Sequence, residues 1–268
     1  MSLSSIFKVP KPVIGMLHLP ALPGSPENTM DLAALRRMVL LDAEALTSGG
    51  VDGLIIENFG DVPFYPSKVP PHTVAFMTAI GLEVAKAFPL PLGINVLRND
   101  ARSALAIATA IGAAFIRVNI FTGARVTDQG LIEGEAHRVL RYRKILGSSV
   151  LVFADVAVKH SAPLAAFELA DEVRDTVSRG RADAVIVSGS GTGQETRLED
   201  VKAAKGAAGE TPVLVGSGVN PENVRAVLGY ADGLIVGTAL KRDGITTAPV
   251  DPARVRDFMR AVSEARST

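Results

Sequence analysis

Short runs of β-branched and aliphatic residues alternate with longer stretches of helical period along the whole chain, about one pair every 30 residues. Strands are expected to begin near Val13, Gly53, Leu92, Phe115, Val150, Ala184, Val213 and Gly233. Helices are expected over 31–48, 72–87, 100–111, 133–146, 165–179, 198–208, 221–229 and 252–265. Runs such as 53–57, 184–188 and 212–216 are apolar at nearly every position, as parallel strands covered by helices must be. Such alternation leaves a closed (β/α)8 barrel or an open doubly wound sheet. The open sheet would carry a glycine-rich dinucleotide fingerprint at its first strand–helix turn. That turn reads HLPALPGSP (18–26), rigid and proline-rich, which favours the barrel. The 268 residues are close to the roughly 250 of such barrels. No compositional break marks a linker, so 1–268 read as one domain. Gly49-Gly50 is placed to end the first long helix, and Pro221 and Pro252 to occupy first helical positions.

Chemistry in such a barrel sits at the C-terminal ends of the strands. In chain order those ends carry His18, then Glu57 with Asn58, then Asn95 with Arg98, then Arg117 with Asn119, then Asp155 and Ser188. Glu57 and Asp155 are the candidates for acid/base work, since a carboxyl at a barrel mouth is desolvated enough to titrate nearer neutrality. Each has a plainer alternative as a strut paired with Arg98 or Arg117. Arg117 and Asn119 share a strand face, and an inward Arg117 needs Glu57 or Asp155 beside it. If the carboxyls are catalytic, Glu57→Gln or Asp155→Asn is expected to spare folding and remove turnover.

His18 is a third acid/base candidate, or a histidine that caps the first loop. Asn95 and Asn119 offer donors and an acceptor to sugar hydroxyls, or to neighbouring backbone. Lys159 and His160 follow Asp155. Lys159 suits a phosphate or carboxylate contact better than a Schiff base. Asn58, Arg98, Arg117 and Ser188 complete the substrate-binding candidates. His18, Glu57, Asp155 and His160 have side chains suited to Zn²⁺ or Mn²⁺, but no compact spacing joins them. No cofactor is expected, and a divalent metal is left open.

Two glycine-bearing strand ends point to an anion: Gly216-Ser217-Gly218 and Gly237-Thr238, each expected to lead into a helix start. Loops after the seventh and eighth strands of such barrels often bind phosphate. The run Ser188-Gly-Ser-Gly-Thr-Gly193 reads as a phosphate nest, a hinged lid or a plain flexible loop. The segment 121–136, with three glycines, has the make-up of a functional lid or a surface excursion.

Lys+Arg and Asp+Glu are each 28, so no bulk field gathers nucleic acid or anionic lipid. Aromatic residues are 5% with no Trp, which argues against base-stacking platforms. With no cysteine there are no disulfides and no thiolate ligands. The first fifteen residues lack a basic segment followed by an apolar stretch, and no run reaches a membrane-spanning length. A cytoplasmic protein is expected, acting on a phosphorylated small molecule, and a homo-oligomer is compatible with this composition.

Several segments are long and unusual enough to carry a resemblance. They include GMLHLPALPGSP (15–26), DGLIIENFGDVPF (52–64), GINVLRNDARSALAIA (93–108), FIRVNIFTGARVTDQGLIEG (115–134), FADVAVKHSAPL (153–164), GSGVNPENV (216–224) and DGLIVGTALK (232–241). Over nearly its whole length the chain resembles the BtpA/SgcQ family. The resemblance implies a TIM barrel of the ribulose-phosphate-binding kind. It also implies associations with photosystem I biogenesis in one branch and sugar-catabolism gene clusters in another, neither of which fixes a reaction. The expected function is therefore an enzyme on a phosphorylated sugar or ribosyl compound, by isomerisation or by cleavage or phosphorolysis of a glycosidic bond. The rival is a non-catalytic assembly factor for a membrane complex. Its nearest docking candidate is the last helix with Arg254, Arg256, Arg260 and Arg266, although Val255, Phe258, Met259 and Val262 give that helix an ordinary core-facing stripe.

Overall fold

Eight parallel strands close on themselves in the computed structural model, which describes residues 3–165, 168–189 and 191–267. In chain order the elements are α1 (Leu3–Ile6), β1 (Val13–His18), α2 (Leu32–Ser48), β2 (Gly53–Glu57), α3 (Pro71–Ala87), β3 (Leu92–Asn95), α4 (Ala101–Ile111) and β4 (Phe115–Val118). There follow β5 (Ala124–Thr127), β6 (Gly130–Glu133), α5 (Ala136–Ile145), β7 (Leu151–Val156), β8 (Ser161–Pro163), α6 (Leu169–Ser178) and β9 (Ala184–Val187). The chain ends with α7 (Leu198–Ala207), β10 (Val213–Val215), α8 (Val224–Leu228), β11 (Gly233–Val236), two short 3₁₀ turns and α9 (Pro252–Arg266). The barrel order is β1-β11-β10-β9-β7-β4-β3-β2, and Ile14 pairs with both Gly53 and Ile235 to close it. This is the (β/α)8 barrel expected, and the eight strands begin within one residue of the positions read from the sequence.

Side chains alternate across a strand, so every second residue of each barrel strand points inward. The interior is an apolar plug of Ile14, Met16, Ile55, Phe115, Leu151, Phe153, Ile186, Leu214 and Ile235. Phe115 and Phe153 stack with ring centroids 4.5 Å apart. A Cβ at Gly93 would lie 2.2 Å from the Phe115 ring, so β3 contributes no side chain at that level. From α1 and the turn after it, Leu3 and Phe7 join the same plug, and a Cβ at Gly53 would lie 2.7 Å from Phe7. Phe7 therefore closes the barrel beneath the strand starts. Two residues above the plug, the same inward columns reach His18, Glu57, Asn95, Arg117, Asp155 and Gly216. Period-two geometry alone converts an apolar interior into a polar upper layer.

Helix ends have specific chemistry. Asp31 accepts from Ala34 N at 2.7 Å, Asp100 from Ser103 N at 3.0 Å, and Asp251 from Ala253 N at 2.8 Å ahead of Pro252. Gly49 ends α2 as expected, with Gly50 beyond it at φ +94°.

Three expectations are corrected. Pro221 does not begin a helix: Asn220 Oδ1 accepts from Glu222 N and Asn223 N, holding a turn that delays α8 to Val224. The residues after β11 enter a 3₁₀ turn, Thr238–Leu240, rather than an α-helix. Neither glycine-bearing loop therefore leads directly into an α-helix, as the sequence reading expected of both. The start expected for one helix near 133 is taken by a hairpin: β5 and β6 pair antiparallel, and β8 joins the free side of β5. The hairpin lies within the 121–136 segment, and Ser161–Pro163 supplies the third strand of the small sheet.

Candidate active site

The upper layer is held by one hydrogen-bonded network. Arg117 Nε and Nη2 each donate to Asp155 at 2.9 Å, and Asn119 Nδ2 donates to Asp155 Oδ2 at 3.0 Å. Asn95 Nδ2 donates to Asn119 Oδ1 at 3.1 Å and to Arg117 O at 3.2 Å. Asp155 and Arg117 are 3% and 2% exposed, so this is a fully buried, bidentate ion pair. Of the two partners that an inward Arg117 required, it has Asp155. Both Asp155 oxygens are thereby engaged.

Glu57 stands apart from that network. Its nearest ionisable neighbour is His18, with Nε2 3.9 Å from Oε1. Burial raises the Glu57 carboxyl above its ordinary value, with Arg117 and Lys159 pulling the other way. His18 is pushed down to about 3, first by burial and then by the charges of Lys241, Lys159 and Arg117. Its ring lies against Phe59, centroids 4.7 Å apart, and Nδ1 is buried with no hydrogen-bond partner among the described residues. His18 is therefore a neutral imidazole at pH 7, able to accept or donate one hydrogen bond but not to start as an acid. Lys159 is lowered by burial, reinforced by Arg117. A carboxyl raised toward neutrality beside a neutral imidazole and a lysine is a proton-transfer arrangement.

The His18 environment has a measurable consequence. The unfolded chain takes up a proton near pH 6.5, whereas the folded chain resists until about 3. The stability associated with neutral His18 is thus complete above pH 6.5 and is lost progressively as pH falls toward 3. Between pH 7 and 5 the wild type is expected to lose about 2 kcal/mol more than His18→Asn. Glu57 contributes with the opposite sign, from its ordinary value upward, and cancels in that comparison. Urea unfolding of both proteins at the two pH values checks this; parallel losses would mean that His18 titrates normally.

A cavity of about 190 Å³ joins these groups to the glycine-bearing loops. His18, Glu57, Arg117 and Lys159 line it on one side, and Gly216–Asn220 with Gly237–Ala239 on the other. A second chamber of about 650 Å³ shares Glu57, Lys159 and Thr192 with it, and adds Arg98, Asn119 and His160. Asn58, Asn95 and Ser188 line neither. Asn58 is taken up by the next loop, its Oδ1 accepting from Leu97 N at 2.7 Å and its Nδ2 donating to Asp61 at 3.1 Å. Arg98 Nη2 donates to Lys159 O at 2.7 Å, which ties the third and fifth barrel loops together.

The glycines of the loop after β10 answer to packing. A Cβ at Gly218, φ +67°, would lie 2.1 Å from Gln194 O, and Ser217 Oγ donates to Gly191 O and Gln194 O at 3.1 Å each. The segment after β9 thus lies directly on the loop after β10. A Cβ at Gly237 would lie 2.7 Å from His18 Cε1. Of the Ser188–Gly193 run, Ser190 lies outside the described residues. The β5–β6 hairpin is anchored: buried Arg125 donates to Ser161 Oγ at 2.7 Å and reaches Glu172 at 3.2 Å. Among the described residues, no three His, Asp or Glu side chains converge as metal ligands would.

Three contributors escaped the sequence reading. Arg254, in the first turn of α9, lines the smaller cavity and donates Nε to Ala239 O at 2.9 Å. Helix N-termini lie at the strand-end face of such a barrel, which was the available signal. Lys241, 2% exposed, pairs with Asp42 at 2.7 Å, while Asp42 also accepts from Val250 N. Its charge helps to keep His18 neutral. Phe59 supplies the ring against His18.

The sequence profile of the BtpA family matches residues 9–264. The chain belongs to the BtpA family. It is 48% identical over 264 residues, 98% of this chain and 92% of the relative, to a Synechocystis protein named photosystem I biogenesis protein BtpA. Among solved structures it is similar to N-(5'-phosphoribosyl)anthranilate isomerase from Pyrococcus furiosus, with a TM-score of 0.59, 16% identity and coverage of 95% and 99% of the two chains. Thiamine phosphate pyrophosphorylase from the same organism gives 0.57 at 14% identity, covering 95% and 96%. At these identities the structural likeness concerns the (β/α)8 barrel fold alone. The BtpA-family assignment agrees with the resemblance carried by the motifs.

Proposed function

We propose that this BtpA-family chain is an enzyme acting on a phosphorylated sugar or ribosyl compound. The phosphoryl group is held by the loops after β10 and β11, at Gly216, Ser217, Gly218, Gly237 and Thr238. The observation that carries this reading is the single cavity in which those loops face Glu57, His18 and Lys159. Main-chain N–H groups of the loops and the Arg254 guanidinium meet the phosphoryl oxygens. Glu57 transfers the proton, His18 orients it as a neutral imidazole, and Lys159 offsets developing negative charge. Asp155, satisfied by three donors, holds Arg117 and Asn119 in place. Arg98, Asn119 and His160 face the rest of the substrate from the larger chamber, with Asn58, Asn95 and Ser188 supporting from behind.

A thermal-shift panel tests this, using sugar phosphates, the dephosphorylated sugars and inorganic phosphate, each with and without Mg²⁺. A ligand at 100 times its Kd adds about 2.7 kcal/mol, which for a chain of this size raises the Tm by roughly 5–10 °C. The shift is expected to require the phosphoryl group and to shrink in Arg254→Gln, an exposed substitution that leaves the fold alone. Equal shifts from sugars lacking phosphate would overturn the assignment.

The printed name of the Synechocystis relative favours a second reading, an assembly factor for a membrane complex. Among the described residues no helix is long and apolar enough to cross a membrane. Val255, Phe258 and Val262 of α9 are buried against the barrel, so that helix has no free apolar face to dock with. A flat ligand panel together with sedimentation of the protein with membranes would favour this second reading.

A further inference from the structure

We infer that the substrate is bipartite: a phosphoryl-bearing end in the smaller cavity, and a flat apolar ring group in the adjoining chamber, joined through the bond that reacts. This rests on the phosphate reading above. The two spaces differ in chemistry. The smaller sets His18, Glu57, Arg117, Lys159 and Arg254 beside Met16, Val219, Ile235 and Val236, whereas Phe59, Val62, Phe64 and Leu97 form an apolar side of the larger. Val62 is 50% exposed and Phe64 is half-buried, so apolar surface faces solvent at the chamber mouth. A ring laid there removes that surface from water. Asn119, Asp128 and His160 stand in the same chamber and offer polar partners to the ring edge.

The residues common to both spaces locate the chemistry. Glu57, Lys159 and Thr192 line each of them. A proton-transfer group at the junction of a polar and an apolar site acts where the two parts of the ligand meet. That selects glycosidic-bond cleavage over isomerisation within the sugar. In this step the bond between the anomeric carbon and the ring group breaks, and its electron pair leaves with the ring group. Glu57 in its protonated form supplies the proton that the ring group takes up. Water or inorganic phosphate then adds to the anomeric carbon and returns a proton to the Glu57 carboxylate. The phosphoryl dianion in the smaller cavity comes either from the substrate's own phosphoester or from inorganic phosphate as co-substrate.

Calorimetry on the wild-type chain tests this with ribose 5-phosphate, the aromatic N-glycoside phosphates AMP, IMP and UMP, and the parent nucleosides with and without inorganic phosphate. At least one aromatic phosphate is expected to bind ten times or more tightly than ribose 5-phosphate. If inorganic phosphate is the co-substrate, a nucleoside shows the same gain only when phosphate is present. Phe64→Ala and the exposed Val62→Asp are expected to erase the gain while ribose 5-phosphate binds as before; Val62→Asp guards against a folding defect. Release of the free ring compound, followed by chromatography, is expected from whichever probe binds and is lost in Glu57→Gln. Ribose 5-phosphate binding as tightly as every aromatic probe would overturn the bipartite substrate and leave the phosphate site standing. Failure of every phosphate-bearing probe and of inorganic phosphate would overturn both.

Discussion

Asp155→Ala is expected to lower the stability of this chain by about 3–5 kcal/mol, the usual consequence of leaving a buried charge without its partner. Arg117 is 2% exposed, and its guanidinium donates two hydrogen bonds to Asp155 in a layer sealed from beneath by Phe115 and Phe153. At 2% exposure, the guanidinium gains little compensation from solvent in the cavity that Arg117 also lines. Asn119 loses its acceptor in the same variant. For a barrel of this size the Tm falls by roughly 10 °C. Replacing both partners with apolar residues, Arg117→Met with Asp155→Leu, is expected to recover most of the loss, because the charge to be compensated is gone. Urea or thermal unfolding of the three proteins decides it. A loss under about 1 kcal/mol for Asp155→Ala would show that the pair is not sealed as described. It follows that Asp155→Asn, which the sequence reading expected to spare folding, is a poor probe of turnover.

Glu57→Gln is the cleaner probe, and it is expected to reduce kcat by 10²–10⁴ with the Tm unchanged or raised. Among the described residues the carboxyl forms no ion pair closer than 3.9 Å, and burial already favours its neutral form, so a neutral amide of the same shape fits the site. The pH profile separates loss of a proton-transfer group from mere disturbance. Wild-type turnover is expected to show a limb whose apparent pKa lies above the ordinary carboxylate range, and the variant's residual turnover to lack that limb. A kcat within tenfold of wild type on any substrate found by the ligand panel would remove Glu57 from the chemistry.

The barrel was legible because its signals are local. Each strand start is set by a short apolar run, each helix by a 3.6-residue stripe and a capping residue such as Asp31, Asp100 or Asp251. The upper polar layer was legible for the same reason: adding two to an inward apolar position lands on His18, Glu57, Arg117 or Asp155. The hairpin of β5 and β6 was missed because its strands are only four residues each within a glycine-rich segment, and the third strand, β8, that joins them lies some 30 residues away.

Roles within the site were of the second kind. From sequence, Glu57 and Asp155 are equivalent carboxylates at strand ends. The closed barrel gives one of them Arg117 and Asn119 and leaves the other beside His18, so burial acts on them differently. The glycines at 216, 218 and 237 were read as openings for an anion, yet what a Cβ would strike at each is Ile186, Gln194 or His18, from segments distant in the chain. Arg254 and Lys241 reach the site or its charges only because α9 and the last loop fold back over the strand ends. Sequence by itself determined the eight barrel strands, most of the helices that cover them and the polar character of the strand ends, since hydrophobic period and capping act over a few residues. Which carboxyl is paired, which histidine stays neutral and where a phosphate-sized cavity opens beside an apolar one were decided by contacts across the closed barrel, where burial and charge depend on neighbours that no local pattern encodes.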